Sequence, residues 1–559
     1  MARLSKKLKN EITEEFRGAP VEAGMNPMLQ KKLKMIASWT SHVTARNFRI
    51  NAPAPLKSFA CAITHDFSKR SHALTRAGAA FLFCVVAVGM TAVYATDTDL
   101  AVPPGYSALP AGAADEIRAV EEEIDRTEAA ALILVGNAGL DAYQKITTLG
   151  KLLLFDKTLS VNRNEACVFC HMPEAGWTGP ASALNATSSA YPGSVRTRFL
   201  QRKPQAYGYA TLAPALYFDQ NKRDLVGGNF WDMRASGIRL GSPAAEQAEG
   251  PLVNPGEMGF ADPACAVERL SASPYRPLFE AVWGPAAFDI QWPKDVEQIC
   301  NRPGPPSPSD PLPVHLLASD RGRASAAFDQ IGMAMRAYEA SPDINAFSSK
   351  YDAIRAGSAK FSSLERRGYA LFRGKARCNE CHRDSGESPL FTDFTADNLG
   401  VPRNSALPFY AEDQPDAAGY AVNPLGARYV DDGVGAFLAG PDNPNRKWVE
   451  FAESYRGKFQ ASSLRNVDKR PRPDFVKAYM HNGYFKSLKE VVHFYNTRDV
   501  LPRCKPNDPG EKVTCWPAPE EPANVNKTQM GHLGLSNAEE DAIVAFLKTL
   551  TDGYEPPAP

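Results

Sequence analysis

Two short stretches hold residues whose types and spacing can do chemistry. Glu165-Ala-Cys-Val-Phe-Cys-His171 and Arg377-Cys-Asn-Glu-Cys-His382 each set two cysteines three positions apart, with a histidine directly after the second. In a Cys-x-x-Cys-His sequence the two thiols form thioethers to the porphyrin vinyl groups, and the adjacent imidazole ligates the iron from the proximal side. Cys167, Cys170 and His171 are therefore candidates to hold one haem c, and Cys378, Cys381 and His382 a second. A zinc knuckle needs four ligands close together, and neither stretch has them nearby. With ten cysteines and nine histidines in 559 residues, chance rarely yields one such motif, and two far more rarely.

The elements that must position these residues are helical. Ahead of the first motif, residues 115–134 read as a helix with Ile117, Val120, Ile124 and Ala131 near one face. A turn at Gly139 leads to a second helix over 142–154, which ends where Phe155 and Asp156 open the loop to Cys167. Ahead of the second motif the pattern predicts helices at 325–338 and 363–372. Ser536-Asn-Ala-Glu539 reads as a capping box opening a closing helix that contains Ile543 to Leu547. A haem motif after one helix, closed by an apolar helix, is the cytochrome c arrangement. The fold expected is mainly α: two tandem cytochrome c-like haem domains, 96–345 and 346–559, with long loops and little β. Short β pieces are expected only at 207–216. The 45 prolines and 40 glycines suit such loops, and 559 residues exceed what one core fills, about 250 to 300.

Residues 1–76 differ from the rest. They carry 14 basic against 5 acidic side chains, and since the chain nets zero, residues 77–559 are left at minus nine. The haem-bearing part is acidic, which steers basic partners toward it and repels nucleic acid. An uncharged run over 77–95, with a basic flank and a small-residue exit at Val93-Tyr-Ala95, reads as a secretory signal cut after Ala95 or as a retained membrane anchor. Cys265, Cys300, Cys504 and Cys515, two local pairs in Pro-rich surroundings, suit disulfides in an oxidising compartment. Both features point to the periplasm.

Further blocks carry a resemblance. Leu149-Gly-Lys-Leu-Leu-Leu-Phe-Asp156, Phe230-Trp-Asp-Met-Arg234, the run from Gln247 to Met258, Asn398-Leu-Gly-Val-Pro402, Ser463-Leu-Arg-Asn466 and Tyr479-Met-His-Asn-Gly483, in this order around two haem motifs, are similar to the bacterial dihaem cytochrome c peroxidase superfamily, in its MauG-like branch. The resemblance implies roles. Glu257 matches the distal acid that moves a proton between the oxygens of bound peroxide, and Gln247 and Pro251 match its companions. Trp231 matches the tryptophan that relays a hole between the haems. Taken alone, Glu257 would be a loop carboxylate, and Trp231 a core aromatic.

The same resemblance frames the ligands. No histidine occurs from Met172 to Val314, so the first iron is expected to be open; His315 reads as a surface residue. In Ser487-Leu-Lys-Glu-Val-Val-His-Phe-Tyr495-Asn496, Tyr495 matches the MauG-like tyrosine ligand of the second iron, with Met480 and Met530 as competitors. Calcium, common between the domains of the family, stays open: the usual Thr-Ala-Pro is replaced by Val476-Lys477-Ala478, and Lys477 is a poor neighbour for a cation. The inserts at 237–242, 289–320 and 408–448 either cover surface or shape a partner site. The function implied is a peroxidase in which hydrogen peroxide leaves one oxidising equivalent as ferryl haem at the first site and passes the other through Trp231. A small cytochrome, a copper protein or a protein side chain supplies the electrons. The alternatives are a classical cytochrome c peroxidase, an electron-transfer dihaem cytochrome with both irons six-coordinate, and a dihaem oxygenase. No Gly-rich dinucleotide signature is present.

Overall fold

The structure, a computed structural model, describes residue 110, residues 112–136 and residues 139–556. The basic extension at 1–76 and the apolar run at 77–95 lie outside the described residues. Eight helices position the site: α1 (Ala113–Leu132), α2 (Ala142–Phe155), α3 (Cys167–Cys170), α4 (Pro243–Val253), α5 (Ala318–Glu339), α6 (Ser363–Arg373), α7 (Leu488–Thr497) and α8 (Asn537–Lys548). The strands are short. β1 (Tyr217–Asp219) pairs antiparallel with β2 (Asp224–Val226), and β3 (Ala396–Asp397) with β4 (Phe459–Gln460).

Local chemistry starts the main helices. The side chains of Asp141 and Gln144 cap each other's backbone amides at α2, as do Ser362 and Glu365 at α6 and Ser536 and Glu539 at α8, each satisfying two amides that a helix start leaves bare. Differences from the sequence reading have tertiary causes. α5 begins at Ala318, ahead of the expected start, because Asp320 in its first turn is buried and accepts from the Gln291 amide. The hairpin falls after 207–216. That stretch instead forms a 3-10 turn at Ala210–Leu212, with Tyr209 in the left-handed region and its hydroxyl bonded to Asp552.

Two large cores result. One runs from Ala113 to Ile344 and is centred on α2 and α5; the other runs from Tyr351 to Leu550 and is centred on α6 and α8. The helix pairs cross in the same way. Gly150 of α2 faces the Ala334 carbonyl of α5, and Gly368 of α6 faces the Ala542 carbonyl of α8, so closely that any Cβ would overlap the opposing backbone. A smaller cluster joins Leu216, Leu225 and Met233 to Val434, Phe437 and Trp448, tying the two stretches together. Both local cysteine pairs, Cys265–Cys300 and Cys504–Cys515, are disulfides. Among the described residues no helix is long and apolar enough to cross a membrane.

The inserts behave differently from one another. His315 is exposed at 76 % of its side chain, as a surface residue should be. The insert at 408–448, in contrast, does more than cover surface. Its Asp416 pairs with the fully buried Arg198 (2.7 Å), and Asp431 reaches inward to Arg202.

The helix crossings give a direct test. Gly150→Ala and Gly368→Ala should each destabilise the protein by at least about 1–3 kcal/mol through overpacking, whereas Gly322→Ala, in α5 with nothing near its Cβ, should stabilise by about 0.5–1 kcal/mol. Denaturant unfolding of the three variants measures the contrast.

Candidate active site

The two haem motifs open into one shared cavity of about 740 Å3, lined by Cys167, Cys170, His171, Cys378, Cys381 and His382 together with mostly apolar surface. The cysteines are free thiols, so nothing competes with thioether formation. Each motif histidine bonds a backbone carbonyl through Nδ1: His171 to Trp177 O (3.1 Å) and His382 to Phe391 O (2.9 Å). An imidazole whose Nδ1 is so engaged keeps its Nε2 lone pair for a metal. Burial lowers the His171 pKa to about 4 and that of His382 below its ordinary value, so both are neutral, as iron ligands must be. The residues present therefore fit two haem c groups.

The cavity brings together every candidate named from the sequence. Glu257, Gln247, Pro251, Trp231, Tyr495, Met480 and Met530 all line it. Glu257 is set by its loop. Pro251 lies in the last turn of α4, and the chain then folds back: Met258 N donates to Pro251 O (3.1 Å), Glu257 N to Asn254 O (3.0 Å), and Ser194 N to Glu257 O (2.7 Å). Burial raises the Glu257 pKa above the ordinary glutamate range, against the pull of Arg234 and Asn254. Gln247 sits one turn before Pro251 on α4.

The surroundings of the two motifs differ. Burial pushes the Cys167 thiol up to about 12 and Cys170 well above its ordinary value, and Glu257 is among the carboxylates that add to burial at both. Tyr495, on α7, is instead neighbour to Cys378 and Cys381; burial first, then those two thiols, raises its pKa well above that of free tyrosine. Its hydroxyl makes no hydrogen bond among the described residues. Glu257 is thus within electrostatic reach of the first motif's thiols, and Tyr495 of the second's.

Trp231 is bonded on two sides. Its Nε1 donates to Lys203 O (3.2 Å), and four residues further along that segment the Tyr207 ring lies 5.1 Å from the His171 ring. On the other side Gln460 N donates to Trp231 O (2.8 Å); the next residue, Ala461, accepts from Thr392, which follows the Phe391 whose carbonyl holds His382.

Several residues at the cavity carry no sequence signal. Arg202 is bidentate to Asp431 (2.7 Å twice) and also bonds Asp232 (2.6 Å), which pairs with Arg234 (2.8 Å). Glu339 lines the cavity with Oε2 unpartnered, and burial raises its pKa to about 8. Lys203 is buried, and its Nζ lies 5.6 Å from the Trp231 ring centroid. Single charged residues look solvated in sequence, and only the fold takes them inside. Calcium, by contrast, does not fit at 476–478. Lys477 is buried there with Nζ on two carbonyls, and among the described residues no group of three or more acidic, histidine or cysteine side chains is arranged for a metal ion.

Comparison with known proteins agrees with this architecture. The profile of the di-haem cytochrome c peroxidase family matches residues 144–360. The methylamine utilization protein MauG of Paracoccus denitrificans (strain Pd 1222) is 33% identical over 419 residues, 74% of this chain and 90% of MauG. The cytochrome-c peroxidase IdrP1 of Denitromonas iodatirespirans is 26% identical over 409 residues, 72% of this chain and 80% of IdrP1. The crystal structure of the diheme peroxidase BthA from Burkholderia thailandensis E264 superposes with a TM-score of 0.54 at 28% identity, covering 74% of this chain and 89% of BthA. The chain belongs to the di-haem cytochrome c peroxidase family. It is an oxidoreductase of the peroxidase class.

The Arg202 cluster buries charge that depends on its partners. Asp431→Ala leaves a buried guanidinium with half its partners, and unfolding should show a loss of roughly 3–5 kcal/mol.

Proposed function

We propose that this protein uses hydrogen peroxide to oxidise a small redox protein or a protein side chain, in the manner of MauG, with unlike work at its two haem motifs. Residues 96–345 form the peroxide-reactive haem domain in this reading, and residues 346–559 the electron-transfer domain. The observation that carries it is the asymmetry of the shared cavity, in which an acid, Glu257, lies within electrostatic reach of Cys167 and Cys170, and a phenol, Tyr495, within reach of Cys378 and Cys381.

Haem c, when bound, supplies an iron that can take oxidising equivalents from peroxide. The protein's part is proton management and electron relay. The Glu257 carboxylate takes a proton from the inner oxygen of peroxide and returns it to the departing outer oxygen, and the Gln247 amide holds the substrate beside it. The raised pKa of Glu257 fits an acid–base group that must both accept and release that proton. Trp231, bonded toward both motif histidines, passes an electron from the second half to the first. Tyr495 would be the residue to hold the second iron; bound there, the metal would favour the phenolate that burial alone disfavours, and that ligand would lower the iron's potential and favour higher oxidation states. The electrons come from a small cytochrome, a copper protein or a side chain of a protein substrate, and the two disulfides suit work in the periplasm.

A specific observation favours a second reading. Met480 and Met530 also line the cavity, and a methionine ligand at the second haem would make the protein an ordinary cytochrome c peroxidase that needs half-reduction before use.

The deciding experiment adds one equivalent of peroxide to the oxidised protein without a donor and records optical and EPR spectra. Loss of both ferric signals without prior reduction is the expected result; a requirement for half-reduction would move the assignment to the second reading. Glu257→Gln should slow this reaction by about 10²–10⁴-fold. Because the base form exists only above its pKa, the wild-type rate should fall as pH drops through a value above the ordinary glutamate range. In the Gln variant that limb should vanish. Tyr495→Met should raise the reduction potential of one haem only; unchanged potentials would remove Tyr495 as a ligand.

A further inference from the structure

Two buried lysines flank the loop that follows the first haem motif. Lys477 is 5% exposed, and its Nζ donates to the carbonyls of Asn466 (2.9 Å) and Lys469 (3.0 Å). Lys203 is 8% exposed, and its Nζ donates to Pro204 O (2.8 Å) and Thr178 Oγ1 (3.2 Å). The Lys477 nitrogen also rests against Gly176, where an added Cβ would lie 2.9 Å from Nζ and 3.0 Å from Asn466 O. One side-chain nitrogen therefore meets the 176–178 loop and the 466–469 turn at once.

The segment carrying Lys477 bridges the two cores in its own right. Val476 N donates to Ser182 Oγ (2.8 Å), and Val476 O accepts from Asn185 Nδ2 (3.1 Å). Asn466 is fixed by Leu550 and by a reciprocal pair of bonds with Asp552. Carbonyl oxygens converging where separate pieces of chain meet are the donors a hard divalent cation takes. In this protein they are already bonded to an amine, and Val476 O to an amide. The nearby Asp468 carboxylate is paired with Arg470 (2.5 Å) rather than turned to a metal. A divalent ion at this place would share a dry site with a lysine nitrogen.

We propose that Lys477 is the structural tie of this junction: its side-chain nitrogen joins the loops in place of a bound divalent ion, so that the chain needs no calcium at the place where the family resemblance leaves that ion open. The joint also reaches the haem site. Gly176 precedes Trp177, whose carbonyl holds Nδ1 of His171, so Lys477 is a positioning residue for the first proximal histidine. This holds whatever the haems oxidise, and its failure would leave the peroxide reading standing.

Two measurements on the full haem-loaded protein test it. Metal analysis should find iron and no calcium, and EGTA should leave the Tm and the ferric EPR spectrum unchanged; one calcium per chain, removed by EGTA with a fall in Tm, would overturn the proposal. Lys477→Met, which keeps length and removes the donor, should lower the Tm by a few degrees and alter the ferric EPR signal of the first haem while leaving the second unchanged. A variant with wild-type Tm and both signals intact would also overturn it. Should the variant fail to fold, the metal analysis of the wild type still decides.

Discussion

The bond from each motif histidine to a backbone carbonyl, His171 to Trp177 and His382 to Phe391, is the constraint on which the site depends. It sets the tautomer, leaves Nε2 for iron, and turns the aim of the ligand into a matter of loop placement. The loops carrying those carbonyls must then be fixed, and much of the surrounding structure does this. Lys477 and Gly176 hold one, and Thr392, through Ala461 and Gln460, holds the other and links it to Trp231.

The cavity wall follows from a second constraint, burial of charge. Arg202 stays ionised inside the protein because Asp431 and Asp232 neutralise and hydrogen-bond it. Glu257 has weaker compensation, so burial raises its pKa. The contrast separates a wall residue from one suited to proton transfer. How many donors the fold turns toward a buried carboxylate decides whether burial raises its pKa.

The repeated helix crossing gives both halves the same close backbone contact. Gly150 against Ala334 and Gly368 against Ala542 bring α2 to α5 and α6 to α8 at backbone contact, fixing the end of the helix that precedes each haem motif. Similar frames then carry different side chains. Glu257 comes from a loop shaped by Pro251, whereas Tyr495 comes from the regular helix α7.

The haem attachment sites were legible in the sequence because their chemistry needs fixed neighbours: two thiols and an imidazole on one turn. The capped helices α2, α6 and α8 were legible because capping is a contact between residues three apart, and the disulfides because their partners are close along the chain. Glu257, Gln247, Trp231 and Tyr495 were singled out only through resemblance, since nothing local distinguishes them from loop or core residues. What tertiary structure alone decided concerns groups far apart in sequence. The pairing of Asp431, inside an insert that reads as surface, with Arg202 spans hundreds of residues, and so does the meeting of Lys477 with Gly176. The physical reason is that burial and partner geometry of a single charge have no local pattern; they exist only once the two cores have closed around the cavity.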